Sequence, residues 1–194
     1  MLEIIKGAGL LFWPLLLCSI IAVYIICERL HALRKDAVLP DDLVDAIVAG
    51  KPLVPGRHSV LARIVAFADS HQDDPEAVKA FARLEINRME RGVPYLDVIY
   101  TLAPLLGLTG TIWGLLKVFR QVSPETGIPD PAPFMQGAGL ALSSTLCGLL
   151  IAMLALIPAG YLQRKIENYA AKIDLLLERV LSRTNAVRDE KLGI

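Results

Sequence analysis

Thr111 and Thr145 each lie at the centre of a stripe of small residues, inside a long stretch of sequence without charges. A hydroxyl in an apolar helix can donate a hydrogen bond to the carbonyl four residues earlier, which needs no functional explanation. It can equally line a path for water or for an ion. The residue types alone leave both uses of these two hydroxyls open, and the elements around them show how the threonines are placed.

A helical wheel at about 100° per residue groups small residues with each threonine. The stripe around Thr111 consists of Pro104, Gly107, Gly110 and Gly114. The stripe around Thr145 consists of Ala141, Gly148 and Ala152, and continues to Ala155 and Ala159. Small residues let helix backbones approach closely in lipid. The pattern predicts two closely packed helices, in an oligomer whose small faces surround something polar.

Three uncharged stretches carry these residues, and each is long enough to cross a membrane. They cover residues 7–27, 98–116 and 131–163, which are 21, 19 and 33 residues long. A bilayer core about 30 Å thick needs about 20 helical residues. Membrane β-strands would alternate apolar and polar residues, and these stretches do not. The first stretch is too long for a signal peptide and lacks a small-residue cleavage site before Glu28.

The sequence thus predicts an all-α integral membrane protein with three transmembrane helices and a helical cytoplasmic domain. Seventeen of the 20 lysines and arginines lie in residues 28–92 and 164–194, so both segments are predicted inside and the N-terminus outside. The predicted segments are an outer tail (1–6), spans at 7–27, 93–116 and 137–163, a cytoplasmic domain (28–92), a short periplasmic loop (117–136) and a cytoplasmic helical extension (164–194).

Within the cytoplasmic segments, capping residues mark the helix starts. Caps are predicted at Asp41 or Asp42, at Ser59 and at Asp74, which Pro75 follows. The helix after Asp74 is expected to stop at Gly92. Apolar residues continue at spacings of three and four from Ile166 to Leu181, so the third helix should extend well beyond its span.

Other residue types give no sign of enzyme chemistry. The sequence contains no nucleotide loop, nucleophile elbow or dense basic patch, so no enzyme, cofactor or nucleic-acid role is expected. The histidines fit no metal site and are expected at the surface, and the cysteines are expected to act as small apolar residues. These residues are His31, His58, His71, Cys18, Cys27 and Cys147.

Charge is absent from the interior of the second and third spans, which limits how an ion could cross. Asp97 lies at the inner edge of the second span, where we favour a position among lipid headgroups over an ion role. An ion path without its own carboxylate would need a partner to supply one.

Three segments of the chain resemble the ExbB/TolQ/MotA proton-channel family. Residues 103–114 read APLLGLTGTIWG, similar to the family signature APLLGLLGTVxG, and residues 141–149 read ALSSTLCGL, similar to AL-xx-T-xx-GL. WPLLL at 13–17 and ERL at 28–30 resemble the first span and its exit. The three spans are closest to the ExbB/TolQ branch, because flagellar MotA proteins have four.

The resemblance implies a homo-pentameric ring in the bacterial inner membrane, around single-span partners of the ExbD/TolR type. The partner's membrane aspartate would carry the proton past Thr111 and Thr145, and ion flow would drive work on an outer-membrane or cell-wall target, with a TonB/TolA-like protein as a further partner. Leu140 stands where the family often has a glutamate, and Thr109 replaces a usual leucine. These departures leave room for sodium or another access route.

Two other classes of function remain open on the sequence. A membrane scaffold that oligomerises through its small faces explains the glycines and alanines, but not the specific signature at 103–114. A sodium-driven or MotA-like stator subunit is a variant of the channel hypothesis. A stand-alone secondary transporter is disfavoured, because three spans give no inverted repeat.

Overall fold

A computed structural model of the chain describes residues 12–49, 59–71, 73–120 and 131–192. Every regular element in these ranges is helical. The helices are α1 (Phe12–Ala32), α2 (Lys35–Val38), α3 (Asp41–Val48), α4 (Val60–Ser70), α5 (Pro75–Glu90), α6 (Val93–Phe119) and α7 (Pro131–Leu192).

The helices fall into two compact units. Unit 1 takes Met1–Cys27 and Gly92–Gly160, and unit 2 takes Glu28–Arg91 and Tyr161–Ile194. Unit 1 therefore holds α6 and the apolar parts of α1 and α7. Unit 2 holds α2 to α5 and the charged part of α7.

Among the described residues, three helices are long and apolar enough to cross a membrane, as the sequence predicts. Their helical bounds exceed the predicted spans, because α1 runs to Ala32 and α7 begins at Pro131. Residues 131–136, which the sequence assigns to the outer loop, are thus the first turns of α7. The predicted tail 1–6, the start of the first span and residues 121–130 of the loop lie outside the described residues.

Helix α6 begins where glycine is required. Gly92 has a φ of 99°, a left-handed conformation that residues with a Cβ seldom adopt, and the helix starts at the next residue. Pro94 lies in the first turn, where a missing N–H costs nothing. Pro104 lies inside the helix, so the carbonyl of Tyr100 lacks its usual intrahelical donor.

Capping confirms two of the three predicted helix starts in unit 2. Ser59 Oγ accepts from the backbone N–H of Ala62 at 3.2 Å, and Asp74 Oδ1 accepts from that of Ala77 at 3.0 Å. The prediction that Asp41 or Asp42 caps α3 is wrong. Pro40 holds the N-cap in an extended conformation, and both aspartates lie in the first turn, where carboxylates complement the helix dipole.

The core of unit 2 contains one carboxylate, Glu85 on α5, whose side chain is fully buried. Glu85 Oε2 accepts from Nε of Arg63 at 3.0 Å, and Oε1 accepts from Nη1 of Arg88 at 2.6 Å. Both arginines keep about half of their side chains in solvent. The ion pairs neutralise the buried charge and tie α4 to α5.

In unit 2, α7 contributes a buried stripe of apolar side chains at helical spacing. The stripe consists of Leu162, Ile166, Tyr169, Ile173, Leu176 and Leu177. Tyr169 donates its phenolic hydroxyl to the carbonyl oxygen of Leu33 at 3.3 Å, so its polar end is satisfied inside the core. The apolar residues that recur at helical spacing beyond residue 163 are therefore buried in the core of unit 2.

Candidate functional site

Thr111 on α6 and Thr145 on α7 meet side chain to side chain in unit 1. Their Oγ1 atoms are in direct hydrogen-bond contact. Thr111 Oγ1 also lies 3.2 Å from the carbonyl oxygen of Gly107 and 3.1 Å from that of Ala141. Thr145 Oγ1 lies 3.3 Å from the same Gly107 oxygen. We call these two hydroxyls and two carbonyl oxygens the threonine cluster.

The threonine cluster has more acceptor capacity than donor protons. Each threonine hydroxyl carries one proton and two lone pairs, and each carbonyl oxygen carries two lone pairs. If one proton joins the two hydroxyls, the other is left for a single carbonyl oxygen. The cluster therefore retains free lone pairs for an added donor, such as a protonated carboxyl group, or for a cation. Both threonines are half-buried, so the cluster lies at the rim of the helix interface.

Two glycines bring the helix backbones together beside the cluster. A Cβ on Gly148 would lie 2.5 Å from the carbonyl oxygen of Ala103 and 3.1 Å from Cα of Gly107. A Cβ on Gly107 would lie 2.9 Å from the carbonyl oxygen of Ser144. These neighbours are backbone atoms that cannot swing aside. Glycine is thus required at both positions for the contact that lets the two threonines touch.

The close approach continues two helical turns further along α6. A Cβ on Gly114 would lie 2.9 Å from Cβ of Ala141, which is buried. Of the predicted small-face residues, the structure brings Gly107, Gly114, Ala141 and Gly148 together at the α6–α7 interface. Pro104, Gly110 and Ala152 are half-buried.

Ser144, the residue before Thr145, belongs to neither of the small-residue stripes predicted from the sequence. Ser144 is buried, and its hydroxyl has no hydrogen-bond partner among the described residues. Its neighbour Ser143 instead donates to the carbonyl oxygen of Gly139 at 2.8 Å. The signal was available, because a wheel centred on Ala155 places Ser144 on the buried face of α7.

Other threonines of α6 lie apart from the threonine cluster. Thr109 and Thr101 are exposed and donate to the carbonyl oxygens four residues earlier, Leu105 and Asp97, each at 2.8 Å. The ordinary use of a hydroxyl in a helix therefore accounts for these two. It does not account for Thr111 and Thr145, whose contacts cross between helices.

An apolar three-helix unit with a polar cluster between two helices defines a multi-pass membrane protein. Comparison with known proteins gives the class more closely. The chain matches the MotA/TolQ/ExbB proton channel family over residues 56–175, more than half of its length. It belongs to this family, in the ExbB/TolQ branch.

Similar proteins occur in distant organisms. Biopolymer transport protein exbB1 of Vibrio cholerae is 29% identical over 189 aligned residues, which cover 89% of this chain and 83% of the relative. An ExbB-like biopolymer transport protein of Synechocystis is 33% identical over 171 residues, with 80% and 67% covered. An ExbB homologue of Methanothermobacter thermautotrophicus is 25% identical over 190 residues, with 90% and 67% covered.

Proposed function

We propose that this protein is an inner-membrane ion channel and motor subunit. It couples the ion motive force, with the proton as the expected ion, to mechanical work in biopolymer transport or envelope maintenance, without enzymatic chemistry. The observation that carries the proposal is the threonine cluster, a half-buried set of oxygens with free lone pairs between two uncharged helices. The names of the ExbB relatives support the biopolymer-transport role.

A partner chain must supply the proton-bearing group. Asp97 is the only acidic residue among the described residues of unit 1, and it lies 14 residues from Thr111. At about 1.5 Å per residue, the distance along the helix is about 21 Å, too far for a hydrogen bond. We infer that a single-span protein of the ExbD/TolR type brings an aspartate to the threonine cluster, where the free lone pairs accept a hydrogen bond from its protonated carboxyl group.

The proposed assembly is a homo-pentameric ring with the N-terminus periplasmic and the C-terminus cytoplasmic. The concentration of basic residues in residues 28–92 and 164–194 supports this orientation. The large exposed side chains of α1, α6 and α7, among them Trp13, Trp113 and Leu142, support burial in lipid or against further copies. Native mass in mild detergent tests the ring, which should have five times the 21.2 kDa of one chain.

The test of function is ion flux in vesicles that contain the full chain and its co-purified single-span partner. Thr111→Val combined with Thr145→Val keeps the side-chain shapes and removes both hydroxyls. Two hydrogen bonds at about 0.5–1.5 kcal/mol each predict a fall in flux of about 5- to 150-fold. The control is Thr109→Val, which removes an exposed hydroxyl bonded within its own helix and should leave flux unchanged.

The same vesicles separate the alternatives. Flux that survives the double substitution would contradict the role of the threonine cluster. A complete absence of flux in the wild-type complex would favour a non-conducting scaffold, which the close α6–α7 contact also permits. Flux that follows a sodium gradient instead of a pH gradient would identify sodium as the ion, consistent with a site made of oxygen atoms.

A further inference from the structure

We propose that Asp97 is the carboxylate through which the conducted cation passes between the inner aqueous side and the face of α6 that carries Thr111. The inference rests on the proposed channel function and adds a second ionisable group to the path, contributed by this chain and not by its partner.

The first observation is the position of Asp97 around α6. On the helical wheel, Asp97, Tyr100, Pro104 and Thr111 lie within about 60° of one another. All four are half-buried, and we call them the Asp97 flank. On one side of the flank lies the buried face of α6 with Leu96. On the other side lie exposed residues such as Thr101. The half-buried strip that includes Thr111 therefore reaches Asp97.

The second observation is the lack of a bonding partner for the Asp97 carboxylate among the described residues. Among the described residues, the Asp97 side chain makes no hydrogen bond or ion pair, and only its backbone carbonyl accepts a bond, from Thr101 Oγ1 at 2.8 Å. Desolvating an anion is costly, so a half-buried carboxylate without a fixed partner favours any cation that can reach it. Such residues at membrane depth are commonly part of ion pathways.

A simple headgroup anchor explains these observations less well. A carboxylate that only contacts headgroups belongs on the most exposed side of the helix, which at this level of α6 carries Tyr95 and Val98, 64% and 51% exposed. Asp97 lies instead on the flank that leads to the threonine cluster. The proposed role in the ion path therefore departs from the headgroup position predicted from the sequence.

The experiment uses the same vesicles, with the full chain and its partner. Asp97→Asn keeps the size and polarity of the side chain and removes its charge. Groups that relay protons contribute about 10²–10⁴-fold to transfer rates, so flux should fall about 100-fold or more. Asp97→Glu restores the carboxylate and should retain most of the flux. Asp174→Asn, which removes an exposed carboxylate from α7, is the charge-matched control.

Chemical rescue tests the carboxylate in an already assembled complex. Asp97→Cys is made in a chain whose three native cysteines are serines. Iodoacetate converts the new thiolate to a thioether with a carboxylate and releases iodide, whereas iodoacetamide gives a neutral thioether of similar size. Recovery of flux with iodoacetate alone supports the proposal, and an equal response to the two reagents overturns it.

The outcomes separate this inference from the proposed function. Wild-type flux in Asp97→Asn, together with loss in the Thr111 and Thr145 double variant, would overturn the role of Asp97 and leave the channel in place. A fall in Asp97→Glu as large as in Asp97→Asn would also overturn it, because packing would then be the cause. Flux that survives the double threonine variant would instead count against the proposed function.

Discussion

Gly148→Ala tests whether close backbone contact holds the threonine cluster together. The added Cβ would lie 2.5 Å from the carbonyl oxygen of Ala103, about 0.9 Å short of the 3.4 Å at which ordinary contact begins. It would also lie 3.1 Å from Cα of Gly107. Because both neighbours are backbone atoms, α6 and α7 must move apart by several tenths of an ångström.

The displacement has two measurable results. Overpacking of this kind costs about 1–3 kcal/mol, which should lower the thermal midpoint of the purified complex in detergent. The bonds from Thr111 Oγ1 to Ala141 and from Thr145 Oγ1 to Gly107, at 3.1 and 3.3 Å, would stretch past the range of useful hydrogen bonds. Ion flux should therefore fall together with stability.

The control is Gly139→Ala, on the same helix. A Cβ on Gly139 has no neighbour within 4 Å, so this substitution should be neutral or stabilising by up to about 1 kcal/mol through helix propensity. Equal melting temperatures and equal flux in Gly148→Ala and Gly139→Ala would refute the reasoning, because the α6–α7 contact would then not be tight.

Three further predictions concern single side chains. Glu85→Ala should destabilise the protein by about 1.5–3 kcal/mol in thermal or denaturant unfolding, which is the scale of a hydrogen bond to a charged group. The control Glu76→Ala removes a carboxylate from an exposed ion pair and should change stability by less than about 1 kcal/mol. Equal effects of the two substitutions would contradict the role of Glu85. Ser144→Ala should leave thermal stability unchanged or raise it by about 1–2 kcal/mol, because it removes a buried hydroxyl without a partner among the described residues. A clear loss of stability would mean that the hydroxyl is hydrogen-bonded in the assembled protein. The hydrogen bond and charge of Asp41 raise the pKa of Lys35 in the folded protein. The stability that this pair contributes is therefore present below the ordinary lysine pKa near 10.4, and it is lost as the pH rises through the higher pKa of the folded state. Asp41→Asn should lower the pKa of Lys35 in an NMR titration of its ammonium group, and an unmoved titration would contradict the contact.

The sequence predicts much of the fold because apolar length and helical period are local properties. A run of about 20 uncharged residues has few folded solutions in a membrane, so three helices follow directly. The wheel also places Thr111 and Thr145 each on a small face. It does not give the register between two helices, which depends on which glycines meet. The contact between Gly107 and Gly148 sets that register, and it requires the structure.

Two features that the sequence does not predict also depend on contacts between elements. Aspartate is a common N-cap, so the sequence favours Asp41 or Asp42 before α3, but Pro40 takes the N-cap in an extended conformation and the helix starts at Asp41. The helical wheel places Ser144 on the buried face of α7, but whether a neighbouring element gives its hydroxyl a partner is not visible in a single helix. Both features concern where one element meets its neighbours, which sequence period does not determine.

Leu140 and Asp97 differ in their angular position relative to the threonine on their own helix. Five residues separate Leu140 from Thr145, so on a helix the two side chains point about 140° apart. A carboxylate at position 140 would thus lie on a different flank of α7 from the threonine cluster. Asp97 and Thr111, 14 residues apart, lie within about 40° of each other on α6. In this chain Asp97 therefore lies on the same side of α6 as Thr111, whereas position 140 lies away from the threonine side of α7.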